Sequence, residues 1–204
     1  MSIFRALMEK PWTTEGVVDD VYGVDLKSLP TPKFGLRVFL VVATVVFSLI
    51  VVTYADRMLV PDWRSLPIPL VLWLNTAVLI LSSIALQWAR VSADRGRVDG
   101  VKSGLLLGGG FAFVFLIGQL VAWRQLIDLG YFAATNPANA FFYLVTALHG
   151  LHLLGGLVAW ARTSAKLRRG VALDKLRLSV ELCAIYWHFL LVIWLVLFGL
   201  LLFT

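Results

Sequence analysis

Cysteine is nearly absent from this chain. Cys183 is the only one among 204 residues, so neither an intrachain disulfide nor a cysteine-ligated metal cluster can form. Charge is scarce too. Asp, Glu, Lys and Arg supply 15% of the residues, where soluble proteins have roughly 25%. No basic run is interleaved with aromatics, which argues against a nucleic-acid partner despite the formal charge of +6. The first 33 residues lack the early apolar stretch of a signal peptide, so an uncleaved start is expected. Gly108, Gly109 and Gly110 form a triplet, but the lysine and hydroxyl residue that close a phosphate loop are missing. The triplet reads as a site of close helix packing. There is no internal repeat, no serine–histidine–acid set and no carboxylate pair. No catalytic constellation presents itself.

What the chain has in excess is hydrophobicity. Hydrophobic residues make up 60% of it, more than one soluble core could hide, so lipid must solvate much of the surface. Five apolar runs stand out: Phe34 to Thr53, Pro67 to Ala89, Gly104 to Leu126, Ala140 to Ala161 and Leu178 to Phe203. A helix rises about 1.5 Å per residue, so each run can cross a hydrocarbon core of about 30 Å. The predicted architecture is all-α, a polytopic bundle of five transmembrane helices over residues 34–204. A polar cytoplasmic tail, residues 1–33, precedes it. Fifteen basic residues fall on the tail and the even-numbered loops, among them Arg90, Arg95, Lys102, Arg162, Arg168 and Arg177. Only Arg57, Arg64 and Arg124 fall on the other side. Positive charge is retained inside, which places the N-terminus in the cytoplasm and the C-terminus outside. Trp63, Trp88, Trp123 and Trp160 lie near predicted helix ends, where an interfacial belt belongs.

The apolar runs hold few polar groups: Asn75, Thr76, Ser82 and Ser83 on the second, Gln119 on the third, His149 and His152 on the fourth, Glu181 and His188 on the fifth. Ionisable groups in lipid cost several kcal/mol unless paired, so each is a functional candidate. His149 and His152 share a helix face. Counting along the helices puts His152 roughly 14 Å and His149 roughly 18 Å above the cytoplasmic end, with His188 at roughly 15 Å and Glu181 lower. Helices four and five are therefore expected to pack antiparallel through a cluster of His149, His152, Glu181 and His188. Three roles compete. Bis-histidine haem ligation needs room for a macrocycle, which the glycines after His152 leave little of. Metal binding needs Glu181 at the level of the histidines. Hydrogen bonding between helices needs neither, and is the plain reading; Asn75, Ser82, Ser83 and Gln119 receive the same one. Glu181, the one acid placed within a span, is the candidate for handling a proton.

Four segments together resemble a known family. "HGLHLLGG" from His149 and "ELCAIYWHFLLVIWLVLF" from Glu181 are similar to landmark motifs of cytochrome c oxidase subunit III. "WLNTAVLILSS" from Trp73 and "GQLVAW" from Gly118 support them. The resemblance runs from about Lys33 to the C-terminus and fits the short five-helix bacterial form. It implies a non-catalytic subunit of a haem–copper terminal oxidase in the bacterial plasma membrane. That complex reduces oxygen to water with electrons from cytochrome c and pumps protons. The subunit would carry no haem or copper of its own, those cofactors belonging to partner subunits. It would pack beside catalytic subunit I, hold phospholipid in a cleft between its first two helices and the rest, and support proton uptake.

Three positions depart from the family. Ala43, Ala122 and Leu191 stand where acids are usual, which puts a carboxylate-based proton-collecting role in question. Two alternatives follow from the same residues. One is a haem-binding membrane anchor of a respiratory dehydrogenase, using His149 or His152 with His188. The other is the equivalent subunit of a quinol oxidase or a nitric oxide reductase.

Overall fold

The computed structural model describes residues 31–64 and 66–203. Five helices follow in order: α1 (Thr31–Arg57), α2 (Leu70–Asp94), α3 (Val98–Asp128), α4 (Pro137–Arg168) and α5 (Leu173–Leu202). All five are long and apolar enough to cross a membrane, as the apolar runs predict. No strand occurs among the described residues. The tail expected for residues 1–33 lies outside the described residues up to position 30, and Thr31–Lys33 already belong to α1. The chain divides into two compact units, residues 1–39 and 40–204. The packing below is that of the second.

The helices outrun the apolar segments. Helix α3 starts six residues before Gly104, and α4 ends seven residues after Ala161. Hydrophobicity marks the stretch in hydrocarbon; the helix continues where water can solvate its charged side chains. Local chemistry sets the ends instead. Asn136 caps α4 by accepting from the Ala138 N–H at 3.1 Å, with Pro137 at the first helical position. Gly96, Gly130 and Gly170 follow α2, α3 and α4 with φ of 71°, 88° and 74°. That left-handed conformation turns the chain after a helix at least cost for a residue without Cβ.

Helix α2 packs against α3 and α5, and α4 packs against α3 and α5. The α2–α3 seam is built on small residues. A Cβ on Gly104 would lie 2.7 Å from that of Ala89, and one on Gly108 would lie 2.6 Å from Leu86 Cγ. The backbones thus approach more closely than larger residues allow. The triplet serves packing in two of its three members. Gly109 receives the Trp160 indole, whose N–H bonds the Leu105 carbonyl at 2.7 Å, while Gly110 faces open space. Trp160 is accordingly turned inward, whereas Trp88 is 49% exposed.

Helix α1 contributes only a narrow stripe. Ala43, Phe47 and Tyr54 are buried, while Val41, Val42, Val45, Leu49 and Val52 are exposed. Phe47 meets Val145 and Leu197, and Tyr54 stacks edge-on against Trp63 and Phe141. The first two helices are therefore not a pair set apart from the rest, because α2 is embedded in the bundle.

Candidate functional site

The interior polar groups concentrate on the seam between α2 and α5. Climbing one helix while descending the other, five rungs fall at four levels, with Ser82 and Ser83 sharing one. Trp73 meets Phe198 ring to ring at 4.9 Å. The Trp194 indole N–H donates to Thr76 Oγ1 at 2.9 Å, and the Thr76 hydroxyl donates to the Leu72 carbonyl. The Trp187 indole N–H donates to Ser82 Oγ at 2.9 Å, and the Ser82 hydroxyl donates to the Gly108 carbonyl of α3 at 2.7 Å. Ser83 bonds His188 Nδ1, and Gln87 Oε1 bonds His188 Nε2 at 3.0 Å. Arg90 pairs with Glu181 at 3.4 Å. Beyond the last rung, the Arg177 guanidinium donates to the Ala93 carbonyl at 3.1 Å. From Thr76 to Ser83 to Arg90 on α2, and from Trp194 to Trp187 and His188 to Glu181 on α5, the steps are seven residues: two helical turns bring the same face round again.

This geometry corrects the expected cluster. His188 does not turn toward α4; both of its ring nitrogens are engaged by α2. His152 turns to α1 and to its own helix. Its ring lies 5.1 Å from Phe47, and its Nδ1–H donates to the Leu148 carbonyl at 2.8 Å. His149 is fully buried between Phe115 of α3 and Trp194 of α5, at ring distances of 5.7 and 5.2 Å. Neither His149 nitrogen has a hydrogen-bond partner among the described residues, so rings hold it rather than bonds. Glu181 faces Arg90. His188 and Glu181 thus face α2 rather than the histidines of α4.

Helices α4 and α5 do pack, by other means. The Tyr186 hydroxyl donates to the His152 carbonyl at 2.8 Å. A Cβ on Gly156 would lie 2.8 Å from Tyr186 Cε1 and 2.9 Å from Trp187 Cζ3. The glycine after the histidines therefore seats two aromatic rings. Elsewhere Asn75 Nδ2 reaches Gln119 Oε1 at 3.4 Å, over the bare face of Gly118. The Trp123 indole donates to Thr146 Oγ1 at 3.0 Å. The indole donors of Trp187 and Trp194 are absent from the polar groups that the sequence singles out. Their seven-residue spacing matches that between Thr76 and the Ser82–Ser83 pair, and that match was the available signal.

Among the described residues, no three His, Cys, Asp or Glu side chains converge as a metal site would require. Of the positions that depart from the resembled family, Ala43 and Ala122 are buried. Leu191 lines an apolar groove with His188, Ile80 and Trp88. At the opposite end of the bundle, Arg57 grips Asp62 through two bonds of 2.7 and 2.6 Å. The guanidinium bond holds the Asp62 carboxyl below its usual range.

Comparison with protein families matches residues 27–203 to cytochrome c oxidase subunit III. A "Probable cytochrome c oxidase subunit 3" of Mycobacterium leprae (strain TN) is 32% identical over 123 residues, which are 60% of this chain and 61% of that one. A "Cytochrome c oxidase subunit 3" of Thermostichus vulcanus is 33% identical over 129 residues, 63% of each. Its namesake from Synechocystis sp. is 28% identical over 171 residues, 81% of this chain and 72% of that one. The matched stretch thus covers about three fifths of the Mycobacterium protein.

Proposed function

This chain belongs to the cytochrome c oxidase subunit III family, and on that premise we propose that it is the non-catalytic accessory subunit of a haem–copper terminal oxidase. The complex would sit in a bacterial plasma membrane, reduce oxygen to water with electrons from cytochrome c, and pump protons. The chain would pack beside the catalytic subunit, with its N-terminus in the cytoplasm, and bind phospholipid there. The observation that carries the reading is the family match through all five helices, residues 27–203.

The interior agrees with a scaffold. Ser82, Ser83, Thr76 and His188 are engaged by neighbouring helices. A haem-binding anchor would instead need His188 to face a histidine of α4. Proton uptake would have to pass through Glu181, whose carboxylate lies against Arg90. That ion pair makes Glu181 a tie between α2 and α5.

Affinity purification of the full chain in mild detergent tests the reading. Co-purification of a haem–copper subunit, with haem in that subunit, is expected. Stoichiometric bis-histidine haem absorbing from this chain alone would overturn it. Sustained turnover and proton pumping by Glu181→Gln, measured against the unaltered complex, then decide whether the acid takes part.

A further inference from the structure

Where α2 turns into α3 and α4 turns into α5, an open cleft of about 560 Å³ lies between the two turns. Val98 and Lys102 of α3 form one wall. Leu167 and Arg168 of α4, Val171 of the turn and Leu173 of α5 form the other. Its cations are available. Arg168 is exposed and has no acidic partner among the described residues, and Lys102, 59% exposed, stands 3.8 Å from Asp99. The other first-turn acid, Asp174, is drawn to Arg177 at 3.6 Å. The rest of the lining is largely aliphatic. Helices α3 and α5 both begin on the cleft, and neither Arg97 nor Ala172 caps them with a side chain. Their first-turn N–H groups add positive potential to that of the cations.

Height matters as well. Lys102 lies two residues from the apolar run that begins at Gly104, about 3 Å along the helix, and Arg168 lies about 10 Å beyond Ala161. The headgroup layer on each side of the hydrocarbon is roughly 5–8 Å deep. The cleft therefore opens at phosphate level, with cations above and aliphatic side chains beneath.

We propose that this cleft binds the phosphate of an anionic phospholipid from the surrounding leaflet, held by Lys102 and Arg168. The inference rests on the reading of the chain as a membrane subunit with this end in the cytoplasm, and it gives the expected phospholipid a place. Basic clefts between membrane helices on that side suit such headgroups.

The test uses the full chain with its co-purifying subunits, delipidated in mild detergent and titrated separately with phosphatidylglycerol, phosphatidylcholine and inorganic phosphate. Native mass spectrometry counts the bound molecules. The double variant Lys102→Gln, Arg168→Gln is expected to lose about thirtyfold in affinity for phosphatidylglycerol. The Lys102→Arg, Arg168→Lys pair is expected to retain binding. Arg95→Gln with Arg162→Gln removes equal charge from the same end outside the cleft and is expected to bind as the unaltered chain does. Equal loss in both glutamine pairs would overturn the proposal. So would equal binding of phosphatidylcholine, or phosphate binding as tightly as the lipid. Absence of a haem–copper subunit from the same samples would strike the accessory-subunit reading and leave the lipid titration to stand on its own.

Discussion

Helix α5 is held on two sides by different physics. Toward α2 it is held by a ladder of polar rungs, Trp194–Thr76, Trp187–Ser82, His188–Ser83 and Glu181–Arg90. Toward α4 the contact is mainly one of shape, with Tyr186 and Trp187 seated on Gly156 and one hydroxyl bond at His152. In lipid there is no hydrophobic force to press helices together, so fit and hydrogen bonds share the task. The contrast shows that they can be divided between two faces of one helix. Bonds set register on one side, and a missing side chain sets distance on the other.

The largest expected effect lies on the shape side. Gly156→Leu should lower stability by about 1–3 kcal/mol through overpacking, read as a fall in the thermal midpoint in detergent. Gly155→Leu, whose Cβ meets nothing nearer than the Tyr186 hydroxyl at 4.0 Å, should leave the midpoint nearly unchanged. Equal losses would mean that shape does not hold this seam.

The next effect belongs to the charged rung. Arg90→Leu should cost about 1 kcal/mol, since the pair is only half-buried and water screens it. The double variant with Glu181→Leu should recover part of that loss, because the carboxylate that Arg90 faces is then removed with it. A double variant worse than the single would show that Glu181 draws its stability from elsewhere.

A smaller effect is expected at the neutral rungs. Trp187→Phe and Ser82→Ala should each cost about 0.6 kcal/mol, the average for such bonds in membranes. Combined, they should cost little more than either alone. Full additivity in chemical unfolding would detach the indole from the serine.

The smallest concerns the loop after α1. The bond to Arg57 lowers the Asp62 carboxyl. Its stabilising contribution is therefore complete above the unfolded range, near pH 4, and is lost as pH falls through the lower folded value. Amide exchange at residues 58–62 should accelerate below about pH 4 in the native chain and be insensitive to pH, apart from intrinsic chemistry, in Asp62→Asn.

The five-helix architecture was legible because it follows from solvent: runs of twenty apolar residues leave little other choice. The helix ends were less so, since charged residues at 98–103 and 162–168 extend helices that hydrophobicity alone would stop. The polar partners were the hardest to read. Counting residues gave depth, and depth placed His188 level with the histidines of α4. It could not give the direction around the helix axis. A helix such as α4, apolar on all sides, carries no amphipathic stripe to mark its neighbours. Ser83 and Gln87 lie at a compatible level on α2, and they are the residues His188 meets.

The ladder also has a consequence in time. Its two sides are separated by more than eighty residues of chain, and α5 is synthesised last of the five helices. Until it arrives, Thr76, Ser82, Ser83 and Arg90 sit in the membrane without the partners they later hold. Insertion of the final helix is therefore the step that gives those groups their partners on α5. A nascent chain stalled before residue 173 would display those groups to the quality-control machinery of the bilayer as the mark of unfinished work.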